Sequence, residues 1–146
     1  MPSSILVPHD GSSHAQTALE YALETFPAAT IVLFHAIDPF ELTPTAEDTL
    51  PPLTEQWLEE RQAAAEELFA DVLEDADVDP ETHSGTIETD TAVGSPPRTI
   101  VAYTEDTDID GIVIGGRGQS STAPIQLGSA TELVVKRASV PVTVVR

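Results

Sequence analysis

The sequence predicts an α/β domain: a three-layer α/β/α sandwich on a five-stranded parallel sheet. Three observations predict it. Short β-rich runs (Ile5-Leu6-Val7, Ile31-Val32-Leu33-Phe34, Ile112-Val113-Ile114) alternate with segments of helical periodicity. Those runs lack the in-out alternation of a half-exposed strand, as expected where both sheet faces are covered. The chain has 146 residues, 40% of them hydrophobic, enough for one core, so residues 1–146 read as a single domain.

Ile5–Val7 form the first strand, ended by Pro8, and Asp10-Gly11-Ser12 turns the chain into a helix over about 13–25. Ser13 and Gln16 have capping-box spacing, Ala15, Ala18, Leu19, Ala22 and Leu23 recur at helical intervals, and Pro27 stops them. Ile31–Phe34 is the second strand. Residues 38–52 are acidic and hold Pro39, Pro44, Pro51 and Pro52, so no regular element is expected there. A loop this long is either a functional flap or a disordered surface segment, and both readings stand.

Thr54 caps a second helix running to about Leu73, with Leu58, Ala65, Leu68, Phe69 and Val72 on its apolar stripe. Trp57, the only tryptophan, reads as core in preference to a base-stacking platform. Residues 82–89 read as a weak polar strand at the sheet edge. Ser95-Pro96-Pro97 opens a third helix, a capping side chain followed by proline in the first turn, with Ile100, Val101 and Tyr103 inward. Ile112–Ile114 is the fourth strand. Ser129-Ala130-Thr131-Glu132 is a second capping box, opening a helix to about Arg137, and residues 140–145 form the closing strand. The crossovers are long enough to keep all strands parallel, with right-handed connections.

Charge bounds the ligand classes. There are 25 acids against six bases, a net charge of −19, and Lys136 is the one lysine. An acidic surface that prefers Arg to Lys resembles the proteins of salt-loving archaea, whose high ionic strength screens self-repulsion. The excess is confined to residues 1–97, which hold 20 acids and only Arg61, whereas residues 98–146 hold five of each sign. An anion meets less repulsion in that last third, though Lys136 and Arg137 equally suit a helix C-terminus. No basic cluster offers itself to nucleic acid. With no cysteine, disulfides and thiolate metal sites are excluded. The N-terminal residues lack a signal-peptide pattern and no run is long enough to span a membrane, so a cytoplasmic location with no membrane partner is expected.

Ligands of open parallel sheets bind beyond the carboxyl ends of the strands, where helix N-termini converge. Three loops qualify here: Pro8–Gly11, His35–Asp38 and Gly115–Ser129. In the third, Gly115, Gly118 and Gly128 permit close backbone approach and Ser129 begins a helix, which is anion-binding chemistry. Glycines that merely make turns explain the composition equally well. The spacing decides between them.

Gly115-x2-Gly118-x9-Gly128-Ser129 matches the G-x2-G-x9-G-[ST] phosphate and ribose motif of nucleotide-binding universal stress proteins. Ile5–Ser12 resembles that family's opening strand with its pocket aspartate, Leu33–Asp38 its second strand, and Ser139–Val145 its closing strand. The resemblance covers the chain end to end. It implies an adenine nucleotide alpha hydrolase-like fold with sheet order 3-2-1-4-5. It implies adenine near Pro8, Asp10 and the Ala36 backbone, with ribose and phosphates along Gly115, Gly118, Gly128, Ser129 and Ala130. It further implies ATP or another adenine nucleotide, with Mg2+ or Mn2+ on the phosphates, and a homodimer through residues 140–145. Arg117 either pairs with a phosphate or is a solvated loop residue. The spacer 119–127 is more polar than common forms of the motif and contains Pro124.

Rival sites lack residues they require. Lys136 is far from any G-x4-G-K-[ST] loop, and the first βα turn has only Gly11 where a dinucleotide site needs G-x-G-x-x-G. A phospho-receiver module needs a lysine after the last strand, and the chain ends Val144-Val145-Arg146. The four histidines have no metal-ligand spacing, and no nucleophile, base and orienter assemble. The sequence therefore reads as an ATP-binding stress or signalling module without catalytic residues, at most a slow ATPase. The alternative is a dimeric interaction protein that binds no nucleotide.

Overall fold

The computed structural model describes residues 3–39, 54–116 and 127–146. In chain order these form β1 (Ser4–Pro8), α1 (Ser13–Thr25), β2 (Thr30–Ile37), α2 (Glu55–Asp75), β3 (Thr86–Val93), α3 (Pro96–Asp106), β4 (Gly111–Gly115), α4 (Ser129–Arg137) and β5 (Val142–Val145). The sheet is parallel throughout, in the order β3-β2-β1-β4-β5.

Period-two alternation divides the apolar runs between two cores. Ile5, Val7, Ile31, Leu33 and Val113 face α1 and α2, against Leu19, Phe69 and Val72. Leu6, Val32, Phe34, Ile112 and Ile114 face α3 and α4, against Ile100 and Val134. Both faces are covered, which is why these strands read as unbroken apolar runs. Trp57 is buried, as the core reading expected.

Several boundaries differ from the sequence reading, each for a local reason. Pro8 lies inside β1 because its missing N–H falls where the strand ends. The cap of α1 is Ser12, whose Oγ accepts the Ala15 amide at 3.2 Å, and not Ser13, because Gln16 is drawn off to other partners. Thr54 caps α2 as expected, accepting the Trp57 amide at 3.2 Å. Ser95 occupies the N-cap of α3 without a side-chain cap bond. Val101 and Tyr103 are half-buried, and Thr104 joins Ile100 as a fully buried residue of that helix.

The edge strand starts at Thr86, four residues later than read, because a side chain at Gly85 would collide with the carbonyl oxygens of Ala29 and Pro27. That close crossing holds residues 82–85 in a turn. The Thr86 and Gly94 amides donate to Ala29 and Ile37, so odd-numbered β3 amides face outward. At Thr91 the outward N–H is taken by the Asp90 carboxylate at 2.8 Å, which blunts the edge. Asp90 also accepts the Tyr103 hydroxyl at 2.9 Å, and the Tyr103 ring lies 4.8 Å from that of Phe34. Burial, then the Asp90 hydrogen bond, push the phenol up to about 12. The closing strand is shorter than residues 140–145, since Pro141 offers only its carbonyl, to the Ile112 amide.

Candidate functional site

Sheet order 3-2-1-4-5 reverses its winding between β1 and β4, which opens a crevice at their carboxyl ends. The chain leaves β1 there through Pro8–Ser12, leaves β2 through Asp38, and enters α4 from β4 through residues 116–128. Pro8, Asp10, Ala36, Gly115, Gly128, Ser129 and Ala130 therefore lie at one end of three adjacent strands. Arg117, Gly118 and most of the spacer are outside the described residues, as is most of the acidic segment 38–52.

The β1 loop is held by imidazoles. Gly11 takes φ of 85°, which glycine permits at no cost, and its N–H donates to Nδ1 of His9 at 3.0 Å. Nδ1 is thus an acceptor, so Nε2 carries the proton and donates to Oε1 of Gln16 at 3.0 Å. The Gln16 amide in turn donates to the Val72 carbonyl at 2.9 Å, joining α1 to α2. His9 is 3% exposed, and burial holds its imidazole below the usual 6.5, although Gln16 and Asp10 pull it up. With both nitrogens engaged it is a scaffold and not a base.

Asp10 is exposed, and its Oδ1 accepts the Ser12 N–H at 3.0 Å in an Asx turn. Strand β2 runs on to Ile37, three residues past the Phe34 end that the sequence reading gave it, because His35, Ala36 and Ile37 pair with β3. This end is tied to the same place: His35 Nδ1 donates to the His9 carbonyl at 2.8 Å, and the His9 N–H donates to the Phe34 carbonyl at 2.8 Å. Ala36, beside His35, is thereby fixed relative to Asp10.

The β4 loop differs most from its sequence reading. A Cβ on Gly115 would lie 2.7 Å from the His14 carbonyl carbon, so the space at this glycine is filled by the first turn of α1. The N-cap of α4 is Gly128 and not Ser129, and it has no side-chain cap bond. The Gly128 amide donates to the Gly116 carbonyl at 2.8 Å, drawing the two ends of the loop together. The first bond of the helix runs from the Glu132 amide to the Gly128 carbonyl. The amides of Ser129, Ala130 and Thr131 precede it and have no acceptor within the helix. Thr131, which the sequence reading placed only inside a capping box and gave no role at the site, is 4% exposed and donates its hydroxyl to the Gly115 carbonyl at 2.8 Å. A threonine three residues after a helix-opening glycine was the one available signal.

Lys136 and Arg137 occupy the last turn of α4, away from those amides, and Lys136 pairs with Glu132 at 3.0 Å. They complement the helix C-terminus. Among the described residues no group of three or more His, Asp or Glu side chains could hold a metal ion. No described helix is long and apolar enough to cross a membrane. An open groove of about 770 Å³, floored by Phe69 and Leu73 and rimmed by Glu66, Glu74, Asp77 and Asp79, runs between α2 and β3, away from the crevice.

A family model described as the universal stress protein family matches residues 1–146. Universal stress protein MJ0577 of Methanocaldococcus jannaschii is 30% identical, over 100% of this chain and 96% of that relative. The solved structure of MJ0577 superposes with a TM-score of 0.72 at 31% identity, covering 98% of this chain and 94% of that one. Universal stress protein UspA from Lactobacillus plantarum gives 0.77 at 28% identity, covering 99% and 97%. A family protein from Arabidopsis thaliana, solved with AMP bound, shares the fold at 21% identity and a TM-score of 0.62, covering 99% and 91%. Strand order, the glycine-framed entry to α4 and a match along the whole chain agree: this chain belongs to the universal stress protein family.

Proposed function

We propose that the chain binds an adenine nucleotide, ATP in the first instance, at the carboxyl edge between β1 and β4. The observation that carries this reading is the set of Ser129, Ala130 and Thr131 amides, without intrahelical acceptors at the head of α4 and facing the switch point. Phosphates take these amides, and Arg117 and Gly118 complete the cradle. Pro8, Asp10 and the Ala36 backbone receive the base, held in register by the His35 to His9 bond. Gly115 serves indirectly, by seating α1. The local charge balance of residues 98–146 favours an anion there. Fold relatives solved with AMP and with dAMP accord with this ligand class. Mg2+ or Mn2+ arrives on the phosphates.

Binding is the activity, in a cytoplasmic stress-response or signalling role, and a slow ATPase is the most that Asp10 would support. Calorimetry with ATP and magnesium at high salt tests it. Millimolar ATP giving neither heat nor a thermal shift overturns it. Gly128→Val, a branched side chain at the head of α4, is expected to abolish binding with the circular-dichroism spectrum retained.

The second reading, a dimeric interaction protein that binds no nucleotide, is favoured by one observation. Strand β5 is an edge whose Val142, Val144 and Val145 are only half-buried. We take pairing through residues 140–145 to accompany nucleotide binding, and sedimentation velocity with and without ATP checks it.

A further inference from the structure

Thr131 sits at the third position of α4, where its hydroxyl has no capping duty and its branched side chain gains nothing for the helix. It is nonetheless buried and hydrogen-bonded across sixteen residues to the last carbonyl of β4. One residue further on, the Gly116 carbonyl holds the Gly128 amide. Successive carbonyls of one strand end thus clamp the first turn of α4 twice. Gly115 is itself wedged against His14 at the start of α1, the helix that leads directly out of the Asp10 loop. A continuous path of contacts therefore runs from the loop of Asp10, through α1 and Gly115, to the amides of Ser129 and Ala130.

We infer that Thr131 is a positioning residue for nucleotide binding: its hydroxyl sets the distance and direction of the α4 amides relative to the β1 loop. This rests on the adenine-nucleotide reading. The Thr131 hydroxyl touches no ligand in this role; bound to the Gly115 carbonyl, it fixes the phosphate end of the site against the base end, so that one rigid molecule spans both. Pre-set donors bind without the ordering cost that a loose helix end would incur.

Thr131→Val keeps the shape and removes the donor. The expected result is an ATP affinity about tenfold weaker, equivalent to about 1.4 kcal/mol, with adenosine, which has no phosphate to misplace, changed by less than about twofold. Thr131→Ser, which retains the hydroxyl, is expected to bind ATP within about twofold of wild type. Thr131→Ala, which removes the donor without a branched side chain, is expected to show the same selective loss of ATP affinity if the valine protein does not fold. Unchanged ATP affinity in Thr131→Val, equal losses for ATP and adenosine, or failure of serine to sustain binding would overturn the inference alone. Wild-type protein that binds neither ATP nor AMP would overturn the underlying reading instead.

Discussion

Nδ1 of His35 donates to the carbonyl oxygen of His9 at 2.8 Å, so the end of β2 and the loop after β1 are joined by a bond from one histidine's imidazole to the backbone of another. That bond uses the backbone of His9 and leaves its ring to a separate task, accepting from Gly11 and donating to Gln16.

The ring makes the fold sensitive to acid. Its folded value lies below 6.5, so unfolding takes up a proton and stability falls as pH drops from 6.5 towards that lower value, levelling off beneath it. Protonation also removes the acceptor that Gly11 uses. Thermal melts from pH 8 to 5 are expected to show the wild type losing ground relative to His9→Asn, which does not titrate. A constant gap between the two curves would count against it. Gln16→Leu, which strands the His9 donor and the Val72 carbonyl, is expected to cost about 1–3 kcal/mol at pH 7.

Gly115 and Gly116 make a matched pair. Alanine at 115 places a carbon 2.7 Å from backbone of α1, whereas at 116 the nearest atoms are at an ordinary 3.5 Å. Gly115→Ala is expected to destabilise by about 1–3 kcal/mol and Gly116→Ala by less than about 0.5 kcal/mol, measured by chemical denaturation.

Tyr103 reports on the β3 edge. Asp90→Asn removes the charge, and leaves burial, so the phenol is expected to titrate below about 12 yet above its usual 10.0. Phenolate absorbance resolves this, since Tyr21 is the only other tyrosine.

Asp110 closes the start of β1, its Oδ2 accepting from the Ser3 hydroxyl at 2.7 Å and from the Ser4 and Ser3 amides at 2.9 and 3.0 Å. Those bonds hold its carboxyl below the usual 3.8. The sign is that of a depressed acid: stabilisation is present above 3.8 and disappears as pH falls through the lower, folded value. Asp110→Asn is expected to melt below wild type at neutral pH and to converge with it in strong acid.

A net charge of −19 adds a salt dependence. Raising ionic strength from about 0.1 M to about 1 M shortens the screening length from about 10 Å to about 3 Å. The melting temperature is expected to rise across that range, and a flat response would remove the case for halophily.

What was legible in the sequence was whatever depends on neighbours along the chain. Unbroken apolar runs gave buried strands, and Thr54 marked its helix correctly because its cap bond is local. Ser13 and Gln16 have the right spacing for a capping box, and only the fold reveals that Ser12 is the cap and that His9 and Val72 claim Gln16. The edge strand was misplaced because the constraint at Gly85 comes from a turn more than fifty residues earlier. At the site, glycine spacing located the entry to α4, but the internal duty of Gly115 and the hydroxyl of Thr131 depend on contacts between elements that no local pattern encodes.

The two helical layers differ in charge. The outer layer of α1 and α2 carries ten acids and one base, while α3 and α4 carry three of each. The helical charge is therefore lopsided across the sheet, with Glu88 and Asp90 of β3 the acids that act on Tyr103 of the more neutral flank. Anions arriving from dilute salt are expected to meet less repulsion on the α3–α4 side, and concentrated salt screens that difference together with the net repulsion.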